Sequence, residues 1–340
     1  MLRKKILLIY TGGTIGMMQD KDGVLKPIDF TNLKKELPEI EKLTCDINIY
    51  SFEVPMDSSN ITPKNWIDLA VLIEKNYFLY DGFVILHGSD TIAYTASALS
   101  FLLEHLHKPV ILTGSQLSLG ILRTDARENL LAAIEIASNP LYSLPEVCIY
   151  FGSKLYRGNR TTKISSESFN AFDSPNYPAL VNVGVHMDFQ LRHWLKANIA
   201  NEIKVHKTLC TDVALFKFFP GAPLYWVEAV LLNPNIKGIV LETFGAGNLP
   251  NHPDFVNILE KAIQNGKILV NITQCLRGKV IQGRYETSKH LLKMGVISGH
   301  DMTTEAAITK LMFTLAQMDS IDAVKLIMQT DIRGELTQPY

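Results

Sequence analysis

The sequence predicts a two-domain α/β protein: a larger N-terminal domain with a mainly parallel sheet flanked by helices, and a smaller C-terminal α/β domain, also with a parallel sheet. Three observations carry this reading. A chain of 340 residues exceeds the roughly 250–300 at which one hydrophobic core stops growing. Short runs apolar on both faces alternate with helical patterns, as strands of a parallel sheet covered on each side do. The alternation lapses into polar and basic residues at about 188–210 and then resumes, so residues 1–187 are assigned to the first domain, 188–210 to a connection and 211–340 to the second.

Taken in order, strands are expected at residues 5–11, 47–53, 82–87, 110–114 and 147–151, with helices at 63–75, 92–105 and 123–138. Thr62 before Pro63 marks the first helix start, a capping residue ahead of a first-turn proline. In the second domain strands are expected at 213–218, 238–242 and 267–272, helices at 223–232 and 254–265, and a closing helical pair at 304–317 and 320–329. No internal repeat or low-complexity tract is present.

Composition narrows the function classes. With 33 basic and 34 acidic residues the chain is nearly neutral and shows no basic stripe, which argues against nucleic acid as a partner. No segment approaches the roughly 18 consecutive apolar residues of a membrane span. Arg3-Lys4-Lys5 resembles a signal n-region, but the apolar run behind it, residues 6–9, falls short of the roughly 7–15 residues of an h-region, so a cytoplasmic location is expected. Cys45, Cys148, Cys210 and Cys275 stand far apart, which favours reduced thiols over disulfides or a metal site, and no cofactor is expected.

The chemistry concentrates at strand ends. TGGTIG, residues 11–16, follows the first strand; Gly12 and Gly13 let the backbone turn sharply at its carboxyl end, where open α/β sheets bind ligands, and present Thr14 to the crevice. The spacing is not that of a dinucleotide-binding fingerprint. HGSDT, residues 87–91, follows another buried run and puts Ser89 and Asp90 at a helix start, where helix capping is the plain alternative. MDSSN, residues 56–60, adds Asp57, Ser58 and Ser59, suited to binding a small zwitterion. Neighbouring strand ends converge in space, so the recurrence favours a shared site.

These segments, with KPVILTGSQ, LYRGNRTTK, FGAGN, NITQC and RGELT, resemble in order and spacing the bacterial-type L-asparaginases, in their cytoplasmic, type I branch, over nearly the whole chain. The resemblance implies hydrolysis of L-asparagine to L-aspartate and ammonia, with Thr14 as nucleophile and a second group formed by Ser89, Lys163 and Asp90. Serine at 89 stands where the family usually has threonine. Lys163 read alone is an ordinary surface lysine. The resemblance further implies that Ser58 and Ser59 bind the α-carboxylate, that Asp90 pairs with the α-ammonium, that backbone N–H groups near Gly13 and Ser89 hold the oxyanion, and that Asn248 reaches a neighbouring subunit's site in a dimer or tetramer. Family members commonly carry a lid tyrosine where this chain has Val24 and Leu25. Some type I members have a regulatory asparagine pocket; Thr162 and Cys275 match it, but Glu242 replaces its arginine and reverses the charge, so that regulation is not expected.

The alternatives are a broad glutaminase-asparaginase, the amidase subunit of a tRNA-dependent amidotransferase, and a catalytically silent amino-acid-binding or nucleotide-binding α/β protein using its glycine turns as an anion nest.

Overall fold

The structure, a computed structural model, describes residues 3–19, 25–27, 37–197, 200–283 and 286–338. The chain divides into two compact units, Met1–Lys207 and Thr208–Tyr340.

The first unit is built on eight strands: β1 (Lys4–Tyr10), β2 (Cys45–Ser51), β3 (Gly82–Leu86), β4 (Val110–Thr113), β5 (Val147–Phe151), β6 (Lys154–Arg157), β7 (Val181–Val183) and β8 (Met187–Phe189). They lie in the order β8-β7-β6-β5-β4-β3-β1-β2. β1 to β5 are mutually parallel and β6 to β8 extend the sheet antiparallel. The order of the parallel part, 2-1-3-4-5, reverses direction between β1 and β3, and at such a switch point the loops leaving the strands' carboxyl ends part to leave a crevice.

Among the described residues of this unit three α-helices follow: α1 (Pro63–Asn76), α2 (Ile92–Leu102) and α3 (Ala126–Ala137). Both faces of the central strands are buried, as the continuous apolar runs require; Ile6, Leu8, Val84, Leu86 and Ile111 pack with Leu130, Ala133 and Ile134 of α3, while Ile9, Phe83 and Ile85 are equally buried on the alternate positions. The side-chain oxygen of Asn65 accepts from both the N–H and the hydroxyl of Thr62 at 2.8 Å, fixing the start of α1 as its sequence foretells.

Several boundaries move for identifiable reasons. α2 stops at Leu102 because Leu103–Glu104 pairs antiparallel with Lys204–Val205 and His105 turns to φ 61. α3 begins at Ala126, not 123, because the preceding residues wrap around the Asp125 carboxylate, which accepts the N–H groups of Gln116 and Leu117. The stretch 188–210, expected to be a connection, completes β8 and then supplies Lys204–Val205, so most of it belongs to the first unit. Strands of two or three residues leave no readable period, and the same brevity hides β7.

The second unit has four parallel strands in sequential order, β9 (Val213–Lys217), β10 (Gly238–Thr243), β11 (Ile268–Thr273) and β12 (Ile297–Ser298). Its helices are α4 (Leu224–Leu231), α5 (Pro253–Gln264), α6 (Glu286–Met294), α7 (Thr304–Gln317) and α8 (Ile321–Gln329). Phe216, Ile239, Leu241 and Leu269 pack with Val227 and Leu231 of α4 and Phe255 and Leu259 of α5. In α7 the fully buried Lys310 meets the equally buried Glu335 at 2.5 Å and also donates to the Thr330 carbonyl at 2.6 Å. Glu335 in turn accepts the N–H of Ile332 and of Arg333. Among the described residues, no helix is long and apolar enough to cross a membrane.

Candidate active site

Three backbone segments meet at the switch point. β1 ends at Tyr10, Thr11 bonds across to the Leu86 carbonyl through both its N–H and its hydroxyl, and Gly12 and Gly13 take φ 135 and 89, values that L side chains rarely adopt. A methyl on Gly13 would stand 2.5 Å from the Gly88 nitrogen, and one on Gly88 would stand 2.5 Å from Ser58 Oγ. The loops after β1 and β3 thus touch through the bare Cα atoms of Gly13 and Gly88, and the loop after β2 reaches Gly88 through the Ser58 side chain. Thr14 and Ser89 are the next residues after this glycine contact.

Thr14 opens a 3-10 turn, Thr14–Gly16, and is partly exposed. Its hydroxyl and its N–H have no hydrogen-bond partner among the described residues, and neither does the N–H of Ser89. The crevice is therefore lined with unspent donors.

Lys163 sits on a two-residue strand, Thr162–Lys163, paired with Phe172–Asp173. Its Nζ donates to Ser89 Oγ at 3.0 Å and to Asp90 Oδ1 at 2.7 Å, and its side chain is 19% exposed against 68% for Asp90. The surface-lysine alternative is thereby set aside, and so is helix capping: the N-cap of α2 is Thr91, and neither Ser89 nor Asp90 caps it. Thr91 instead donates its hydroxyl to the Ser58 carbonyl at 2.7 Å, tying the β2 and β3 loops together.

Two residues at this site were not among the sequence candidates. Gln116, at the end of β4, receives the Ser89 hydroxyl on Oε1 at 3.5 Å while its Nε2 donates to the Ser168 carbonyl at 3.0 Å. With its N–H and that of Leu117 held by Asp125, the Gln116 amide is oriented, so Ser89 accepts from Lys163 and donates to Gln116. The signal was available in KPVILTGSQ, whose strand adjoins β3. His87 is the other. Fully buried, it places Nδ1 2.7 Å from the Gly88 carbonyl and Nε2 2.9 Å from Thr95 Oγ, and that hydroxyl accepts Trp66 Nε1–H at 3.0 Å. Burial holds its pKa down at about 4.

Asp57 and Ser59 are exposed and Ser58 is buried. The Asp57 carboxylate accepts the Ser59 N–H at 3.0 Å, a bond that, together with the Ser59 hydroxyl, keeps it below the usual carboxylate range. Ser58 Oγ faces Gly88 and has no hydrogen-bond partner among the described residues. Val24 lies outside the described residues, and of Leu25 the backbone alone is described, in a short strand paired with Met17–Gln19.

In the second unit, Asn248 closes a tight turn against Phe244, and the left-handed positions fall on Gly245 and Gly247 rather than on the asparagine. Glu242, at the end of β10, accepts the Thr304 hydroxyl at 2.6 Å and Lys217 Nζ at 3.1 Å, so both its oxygens are engaged. Cys275 is exposed, and Thr162 is half-buried in the first unit.

Residues 5–195 match the family described as Asparaginase, N-terminal, and residues 212–328 the Glutaminase/Asparaginase C-terminal domain. The chain is 42% identical to L-asparaginase 1 of Escherichia coli (strain K12), over 99% of each chain. Among solved structures it resembles L-asparaginase I from Vibrio cholerae (TM-score 0.89, 41% identity, 99% of this chain and 100% of that one). It also resembles the thermostable L-asparaginase from Thermococcus kodakarensis (TM-score 0.91, 31% identity, 98% and 100%).

Proposed function

The chain belongs to the asparaginase family, and from that premise we propose that it hydrolyses L-asparagine to L-aspartate and ammonia, with Thr14 as nucleophile and Ser89, Lys163 and Asp90 as the proton-handling group. The observation that carries this reading is Lys163 Nζ bridging Ser89 Oγ and Asp90 Oδ1, one residue beyond the contact of Gly13 with Gly88.

The chemistry follows from the groups present. Thr14 Oγ adds to the side-chain amide carbon and the carbonyl oxygen takes up negative charge. The free N–H groups of Thr14 and Ser89 are the donors for that oxygen, each worth roughly 2.7–4 kcal/mol in comparable sites. The C–N bond breaks, ammonia leaves with the proton lost by Thr14, and an aspartyl ester remains. Water then adds to the ester, Thr14 Oγ recovers a proton, and L-aspartate departs. Ser89, held between Lys163 and Gln116, is the path for these protons, with Asp90 anchoring Lys163. At the other end of the substrate, Ser58 and Ser59 bind the α-carboxylate and Asp90 the α-ammonium, with Asp57 ordering the Ser59 turn.

The resemblance also supports a cytoplasmic homodimer or homotetramer in which Asn248 completes a neighbouring site. The occupied carboxylate of Glu242 supports the absence of an asparagine-binding regulatory pocket at Thr162, Glu242 and Cys275, since a second carboxylate there would meet like charge. The test of the main reading is ammonia release from asparagine by the purified protein and by Thr14→Ala. Turnover by the parent and none by a folded Thr14→Ala is expected; near-parental hydrolysis by that variant rules out Thr14 as nucleophile.

A further inference from the structure

The Gly88–Ser89 peptide has one side in the core and one in the crevice. Its carbonyl points inward to His87 Nδ1 at 2.7 Å. In a trans peptide the N–H lies opposite the C=O, so the Ser89 N–H points away from His87, and it has no hydrogen-bond partner among the described residues. The inner side is over-determined. A carbonyl can only accept, so Nδ1 carries the hydrogen; Nε2 is then an acceptor and takes the Thr95 hydroxyl, whose oxygen takes Trp66 Nε1–H. Every donor and acceptor in this chain is matched in one direction only. His87, Thr95 and Trp66 come from the end of β3, from α2 and from α1, so two helices and a strand hold one tautomer.

We propose that His87 is a positioning residue of the reaction: as the fixed Nδ1–H tautomer it holds the Gly88 carbonyl inward and so aims the Ser89 N–H at the oxyanion formed when Thr14 attacks. This rests on the asparaginase reading. His87 touches neither substrate nor Thr14 in this role; it acts through one peptide plane. Burial keeps the ring neutral, with a pKa of about 4, and this suits a fixed donor.

The two ring nitrogens can be imitated separately. In His87→Asn the side-chain amide stands near the place of Nδ1 and can still donate to the Gly88 carbonyl. In His87→Gln the amide reaches toward Nε2 and Thr95 and leaves that carbonyl without a donor. The expected result is a kcat for His87→Asn within about threefold of the parent and a kcat for His87→Gln lower by about a hundredfold, the loss typical of one missing oxyanion donor, with KM for asparagine nearly unchanged in both. A crystal structure of His87→Gln should show the Gly88–Ser89 peptide rotated. Equal losses in the two variants, a parental kcat in His87→Gln, or an unrotated peptide in its crystal would overturn the proposal. If His87→Gln does not fold, a hundredfold loss in a folded His87→Asn overturns it as well. Failure of the asparaginase reading is separately visible as an inert parent protein, and the crystallographic comparison still decides the role of His87.

Discussion

Lys163 and Asp90 form an ion pair at 2.7 Å in which the lysine is mostly covered and the carboxylate mostly open to solvent. A pair with one partner so exposed adds at most about 1 kcal/mol to stability. Its value lies in where it holds Nζ, against the Ser89 hydroxyl.

Lys163→Met is therefore expected to lower kcat by a hundredfold or more, about the worth of a positioned proton-transfer group, while moving the unfolding free energy by less than about 1 kcal/mol. Ser89→Thr keeps the hydroxyl and should stay active. Steady-state kinetics and urea unfolding of the same preparations check both; a parental kcat in Lys163→Met removes the group from the mechanism.

Asparagine should be preferred over glutamine by well over tenfold in kcat/KM. One methylene in a pocket discriminates by only about 1–3 kcal/mol, but a substrate pinned at its α-carboxylate and α-ammonium carries the longer amide past Thr14, and a misplacement of about 1 Å can lose a hundredfold. Parallel assays with both amides decide it, and a ratio within about tenfold would favour a broader amidase.

His87 also makes stability depend on pH. Its folded pKa of about 4 lies below the ordinary histidine value of 6.5, so between these values the unfolded chain binds the extra proton. The contribution is complete above about pH 6.5 and falls away as pH drops toward 4, by about 3 kcal/mol in all. Thermal unfolding of the parent and of the non-titrating His87→Asn at pH 7 and pH 4.5 measures it: the parent should lose ground relative to the variant at the lower pH.

Lys310→Met should cost about 3–5 kcal/mol, because it leaves the Glu335 carboxylate buried without its cation. Adding Glu335→Leu should recover much of that loss, and urea titration of the single and double variants tests the pairing.

Strands β1, β3, β4 and β5 were legible because each is buried on both faces over most of its length and reads as an apolar run; β2, a mostly exposed edge strand, was legible from Ile47, Ile49 and Tyr50. β6 to β8 were not, since short strands that mix Lys, Asp and Asn with apolar residues have neither run nor period. At the site, Thr14, Ser89, Asp90, Ser58 and Ser59 stand beside glycine or hydroxyl turns that mark strand ends. Lys163 lies seventy-four residues from Ser89, and the family resemblance alone pointed to it. Gln116 and His87 escaped because their importance is a direction: one amide turned by Asp125 and Ser168, one imidazole tautomer chosen by Thr95 and the Gly88 carbonyl. Residue identity does not encode a direction until the neighbours are in place.

The contact of Gly13 with Gly88, and of Gly88 with Ser58 Oγ, also governs how the protein can change. The gap between the loops that carry the nucleophile and the relay is set by hydrogen atoms on bare α-carbons, so their spacing has no rotamers to drift through and no side chain to trim; the third loop meets Gly88 through the Ser58 side chain. Directed evolution of this enzyme will find positions 13 and 88 closed to every replacement. Adaptive variation will instead gather at the rim, at positions such as 89 and 116, where a methyl or an amide can be exchanged without moving the backbone.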